Sequence, residues 1–155
     1  MIHVENQIEL VNIQKNYGTH VVLSNCDLSV RNGEFVVVVG RSGSGKSTLL
    51  NLIGGLEQPT DGTIKVSGNS LTNLNEEELS RLRRQKLGFV FQFFNLIPTL
   101  TALENIRLPM ALNRINKKET IERALSLLEE FGLSGFDQRF PEELSGGEQQ
   151  RVAIA

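Results

Sequence analysis

The chain has 155 residues and a formal net charge of -2, the length of one domain on a scale of roughly 100–200 residues each. Its 39% hydrophobic and 22% charged content is that of a soluble globular protein, and no apolar run approaches the ~20 residues that span a bilayer. The charge balance gives no general attraction to nucleic acid or acidic lipid, and a single cysteine, Cys26, excludes an internal disulfide or a multi-cysteine metal site.

In chain order, "IELVNIQKNY" and "VVLSNCDLSV" cluster β-branched residues and read as strands. Cys26 reads there as a small hydrophobe rather than a nucleophile. The N-terminal "MIHVENQIEL" lacks a basic stretch leading into an apolar one, so it does not read as a signal peptide. "RNGE" places an Asn-Gly turn before Glu34. "FVVVVG" is apolar throughout, the pattern of a strand covered on both faces in a parallel sheet. After Lys46 the spacing of Leu49, Leu50, Leu52 and Ile53 predicts a helix, stopped by Gly54 and Gly55. "PTDGTIKVSG" is a turn and a strand. "NEEELSRLRRQK" predicts a helix with acids early and bases late, matching the helix dipole. "LGFVFQ" reads as a second short buried strand. Beyond it, "TALENIRLPMAL" and "KKETIERALSLLEEFGL" predict two helices, "SGFDQRFPEEL" a loop, and "SGGEQQRVAIA" a further helix.

The break after the valines carries chemistry. Gly40, Arg41, Ser42, Gly43, Ser44, Gly45, Lys46 and Ser47 match G-x-x-x-x-G-K-[ST]. A triphosphate concentrates negative charge, and a loop of backbone N–H groups can wrap it only where glycine lets the backbone approach. The helix opening at Lys46 adds unpaired N–H groups and its positive dipole end. Lys46 is the candidate for the β- and γ-phosphates, Ser47 for Mg²⁺, and Thr48 for a phosphate oxygen. A chance glycine-rich turn is the competing reading. The strand before the loop and the helix after it argue against that.

A second motif narrows the choice among phosphate-loop proteins. "LSGGEQQRVAIA" can be read as a helix start, with Ser145 capping and Glu148 at the third helical position. A capped, glycine-rich helix start is also a second anion nest, built from Ser145, Gly146, Gly147 and Glu148. This stretch resembles the signature of the ATP-binding cassette (ABC) ATPases. The resemblance covers residues 8–155 and looks closest to the ATPases of bacterial lipoprotein-release, macrolide-export and peptide-antibiotic-resistance systems.

The resemblance implies an α/β phosphate-loop fold: an N-terminal antiparallel β-subdomain, a RecA-like core without its C-terminal strands, and a helical insertion. Its parts would be 1–92 for the β-subdomain and loop core, 93–145 for the helical subdomain and 146–155 for the start of the signature helix. It implies ATP and Mg²⁺ as ligands, with Lys46, Gln92 and Ser145 in catalysis. Gln92 matches the glutamine that approaches Mg²⁺ and the attacking water, and Tyr17, the chain's single tyrosine, matches an aromatic stacked on adenine. Taken alone, Gln92 is an ordinary polar residue at a strand end and Tyr17 a surface ring. A second ATPase subunit, docked head to tail, and membrane permease subunits are the implied partners. The location would be the cytoplasmic face of the membrane. "FQFFNLIPTLTALENI", with Phe93, Phe94, Leu96, Ile97 and Leu100, would form the permease groove or else simply pack the insertion. The basic "RLRRQK" reads as a solvated face, not as a nucleic-acid contact.

The family's acidic strand and switch histidine have no counterpart here. His3 and His20 lie near the N-terminus and read as surface residues, and no Asp-Glu pair follows an apolar strand. The chain is therefore expected to be the N-terminal part of such an ATPase, without turnover of its own. A non-transport cassette, such as a ribosome-associated one, or a regulatory cassette that recruits a membrane partner, remains the alternative.

Overall fold

A computed structural model describes residues 6–155; His3 lies outside them. Contacts divide the chain into one compact unit ending at Leu87 and a second, Gly88–Ala155.

The first unit is built on strands β1 (Asn6–Tyr17), β2 (His20–Arg31), β3 (Asp61–Val66) and β4 (Asn69–Ser70). They form an antiparallel sheet in the order β2-β1-β3-β4. A two-residue turn at Gly18 and Thr19 joins β1 to β2, pairing Tyr17 with His20. Helices α1 (Lys46–Ile53) and α2 (Glu76–Lys86) complete the unit. Leu10, Ile13, Ile64 and Val66 of the sheet meet Leu49 and Leu52 of α1 and Leu79 and Leu82 of α2 in one core. Cys26 packs half-buried against this core as a small apolar residue. The α1 helix stops at Gly54, as its glycines predict. In α2, Glu76, Glu77 and Glu78 occupy the first turn and Arg83, Arg84 and Lys86 the last.

The second unit holds α3 (Ala102–Leu112), α4 (Lys117–Glu130) and α5 (Gly146–Ile154). Ala102, Ile106, Ala124, Leu128, Leu133, Leu144 and Val152 form its own core. No helix among the described residues is long and apolar enough to cross a membrane.

Two sequence expectations are corrected. Neither "FVVVVG" nor "LGFVFQ" forms a strand. Phe35 is 89% exposed, Val37 65% and Val39 82%, and Val90 and Phe91 are exposed too. A doubly apolar strand is buried only when strands flank it and layers cover both faces. Among the described residues no strand pairs with either segment, and every pairing in the sheet is antiparallel.

Candidate functional site

Residues 40–45 lead directly into α1 and shape a cradle. Gly43 and Gly45 hold φ of +77° and +86°, a region that disfavours L side chains. Gly45 has a second constraint. A Cβ there would sit 3.0 Å from Leu23 Cδ2, 3.1 Å from Val22 Cγ1 and 3.2 Å from the Val22 carbonyl oxygen. The loop is thus seated against β2. A Cβ on Gly40 would come within 2.6 Å of Ser44 Oγ.

No side chain caps α1. The first intrahelical bond runs from Leu49 N–H to the Gly45 carbonyl at 2.8 Å. The N–H groups of Lys46, Ser47 and Thr48 precede that bond and open the helix without intrahelical acceptors. With the helix dipole they make an anion nest. Lys46 curls over the loop, and its ammonium donates to the carbonyls of Gly40 at 3.0 Å and Arg41 at 2.7 Å, and to Ser44 Oγ at 3.5 Å. Arg41, Ser42, Ser44 and Ser47 are exposed, and Thr48 is half-buried. The exposed Ser47 hydroxyl suits Mg²⁺ that arrives with phosphate oxygens and water, the usual way this ion is held.

Tyr17 stands 49% exposed at the end of β1. Its hydroxyl donates to the Glu57 carboxylate. The other oxygen of Glu57 accepts from Asn51 Nδ2 of α1 at 2.9 Å, and Lys15 Nζ lies 3.1 Å from Glu57 Oε2. That ammonium also sits 4.9 Å from the centre of the Tyr17 ring. The hydrogen bond from Tyr17, then that from Asn51, then Lys15 hold the Glu57 carboxyl below its ordinary range, against the opposing effect of burial.

The second unit carries the remaining candidates. Gln92 is exposed in a turn. Behind it Phe94 and Asn95 take left-handed conformations, with φ of 59° and 52°. Asn105 pins this segment: its Nδ2 donates to the carbonyls of Ile97, Leu100 and Thr101, and its Oδ1 accepts from Ile97 N–H at 2.7 Å. Phe93 is 81% exposed, whereas Leu96 packs on the core. A cavity of about 390 Å³ is lined by Phe89, Phe94, Ile97, Pro109 and Arg123 among others.

At α5, Ser145 is the N-cap and its N–H donates to Glu148 Oε2 at 2.6 Å. That backbone bond first, then the Ser145 side chain, lowers the pKa of Glu148, with Arg139 and Arg151 adding to it. Gln149 Nε2 bonds the carbonyls of Pro141 and Leu144, bracing the turn before the helix. A Cβ on Gly146 would meet nothing within 4 Å, and one on Gly147 only Arg151 Nη1 at 3.8 Å. Packing within the unit requires glycine at neither position.

The phosphate loop and Tyr17 therefore belong to the first unit, and Gln92, Ser145, Gly146, Gly147 and Glu148 to the second. Lys15, Asn51, Glu57 and Asn105 are absent from the sequence reading. Glu57 lies 40 positions from Tyr17, and no local spacing connects the two.

A family model described as ABC transporter matches residues 23–155. The lipoprotein-releasing system ATP-binding protein LolD of Aquifex aeolicus is 54% identical over 144 residues, covering 93% of this chain and 64% of the relative. The bacitracin export ATP-binding protein BceA of Halalkalibacterium halodurans is 41% identical over 152 residues, covering 96% and 60%. The chain thus spans less than two thirds of the length of these curated relatives. Among solved structures, the dimeric post-hydrolysis state of the ATP-binding cassette MJ0796 bound to ADP and Pi aligns with a TM-score of 0.86 at 44% identity, over 95% of this chain and 67% of that one.

Proposed function

This chain belongs to the ABC transporter family, and on that premise we propose that it is the ATP-binding part of a transport ATPase. The observation that carries the proposal is the phosphate cradle: glycines at positive φ, an uncapped helix start and Lys46 arched over the loop. Residues 40–48 hold the phosphates and Tyr17 stacks on the adenine. Ser47 would hold Mg²⁺, and Gln92, in the second unit, is carried forward as a metal candidate by the family resemblance. When bound, Mg²⁺ neutralises charge that builds on the phosphoryl oxygens. Ser145, Gly146, Gly147 and Glu148 cover the nucleotide of a second copy, head to tail. The open space at Gly146 supports this role, because a close-lying ligand is then the reason for a glycine.

The division into 1–92, 93–145 and 146–155 is retained as a functional one. The apolar segment after Gln92, with exposed Phe93 and the cavity beside Phe94 and Ile97, is the surface for a permease helix at the inner membrane face. The relatives named for lipoprotein release and bacitracin export support transport as the process served. Within residues 1–155 no Asp-Glu pair follows an apolar strand to polarise water, so these residues bind ATP without turning it over.

ATP titration and phosphate release, measured on the same preparation, test this reading. Lys46→Ala removes a charge-assisted contact of about 1.5–3 kcal/mol, so ATP affinity falls roughly tenfold or more. Phosphate release stays at background in both proteins. Unchanged affinity sinks the phosphate-loop assignment, and steady release that depends on Lys46 sinks the absence of turnover.

A further inference from the structure

The segment after α1 is tied to two elements at once. Leu56 and Glu57 N–H both donate to the Asn51 carbonyl, at 2.9 and 3.4 Å, which folds the chain back along α1. Arg83 Nη1 braces that turn through the Gly55 carbonyl at 2.7 Å. From the other side, the end of β1 is stitched to residues 58–60. Lys15 Nζ donates to the Gln58 carbonyl at 2.8 Å, Asn16 N–H to Thr60 Oγ1 at 3.0 Å, and Thr60 N–H to the Gln14 carbonyl at 2.8 Å.

At the centre of this bridge stands one carboxylate. Glu57 takes Tyr17 Oη on one side and Asn51 Nδ2 on the other. Asn51 lies five residues beyond Lys46 on the same helix, about 7.5 Å along its axis. A chain of two side-chain hydrogen bonds therefore runs from the aromatic ring to the helix whose N-terminus forms the phosphate nest. Lys15 completes the arrangement, with its ammonium over the ring and fixed by Glu57 and the Gln58 carbonyl. A cation on one ring face is favourable, and it leaves only the opposite face for a planar ligand.

We propose that Glu57 is a positioning residue that fixes the Tyr17 ring relative to the phosphate loop, while Lys15 covers one face of that ring and leaves the other for an adenine base. This rests on the reading of Tyr17 and residues 40–48 as the nucleotide site. Its consequence is a division of labour. The phosphate loop sets affinity for any triphosphate, and Glu57 sets how much the base adds.

The test compares ATP with inorganic tripolyphosphate. Base stacking on an aromatic side chain strengthens binding by roughly fivefold to a hundredfold, which appears as a preference for ATP over tripolyphosphate. Glu57→Ala is expected to lower that preference at least fivefold and leave tripolyphosphate affinity unchanged. Glu57→Gln keeps one oxygen to accept from Tyr17, and its amide N–H can donate to the Asn51 side-chain oxygen once that amide turns over, so it is expected to retain most of the preference. A second readout is spectroscopic. The chain has one tyrosine and no tryptophan, so tyrosine emission reports Tyr17 alone. A phenol bonded to a carboxylate emits weakly, because the excited phenol gives up its proton to it. Both variants are therefore expected to brighten.

An unchanged preference in Glu57→Ala overturns the proposal. So does an equal loss of ATP and tripolyphosphate binding in that variant, which would make Glu57 a general structural residue. A wild-type chain that binds neither compound overturns the nucleotide-site reading itself. The emission of Glu57→Ala then still decides whether the carboxylate holds the ring, and unchanged emission overturns that as well.

Discussion

Glu57 links a single proton to the stability of the first unit. Tyr17 Oη, then Asn51, then Lys15 favour its ionised form in the folded chain. In the unfolded chain it titrates as an ordinary glutamate, near about 4.3. The folded state thus binds this proton less tightly. The stabilisation is complete above about pH 4.3 and is lost as pH falls through the lowered folded value. With a quarter of its side chain exposed, at 26%, the ion pair belongs with partly solvated ones, and ~0.2–1 kcal/mol is the expected size. Urea unfolding should show wild type more stable than Glu57→Gln by that amount at pH 7, with the gap closing well below pH 4. An equal gap at both pH values would mean that the carboxylate's charge plays no part. At this scale Lys46 and Tyr17 could be named as candidates from the sequence, one from a motif and one from a resemblance. Glu57 could not, because its contacts with Tyr17, Asn51 and Lys15 form only when β1 and the end of α1 are folded side by side.

The two glycine-rich helix starts, at α1 and α5, look alike in sequence and differ in physics. Gly45 is held at φ +86° with β2 side chains 3.0–3.1 Å from any added Cβ. Gly45→Ala therefore meets both backbone strain, about 1–3 kcal/mol, and a clash with Leu23 and Val22. Gly146 opens α5 with open space around it, and alanine is the better helix former by up to about 1 kcal/mol. Thermal denaturation should show Gly45→Ala melting clearly lower and Gly146→Ala melting no lower than wild type. A destabilised Gly146→Ala would imply an internal packing role and weaken its assignment to a ligand. The helices themselves were readable, since α1, α2, α3 and α4 rest on local periodicity, charge order and stop signals. The two apolar segments read as strands were not correctly read. Their composition is local, but strand pairing requires a partner from elsewhere, and no described strand lies beside residues 35–39.

For the chain of residues 1–155, that stretch, without a strand partner among the described residues, is expected to govern association in solution. Phe35, Val36, Val37, Val38 and Val39 form an uninterrupted apolar, mostly β-branched run, and all five are exposed. Such a run lacks charge and proline, and no strand among the described residues pairs with its backbone. Those are the features that drive strand-to-strand association between chains. Isolated apolar residues on the surface do not behave this way. Leu125 on α4, 44% exposed, provides the comparison. Light scattering at increasing concentration is expected to rise for the 155-residue chain. With Val37→Lys, which places a charge inside the run, the rise should move to markedly higher concentration. With Leu125→Lys it should stay where it was, although the net charge changes equally. Neither residue is one of the phosphate-cradle residues 40–48, so ATP affinity below the association threshold is expected to match wild type in both. Equal suppression by the two lysines would assign the effect to net charge. An unchanged Val37→Lys variant would show that the exposed valine run is not the associating surface.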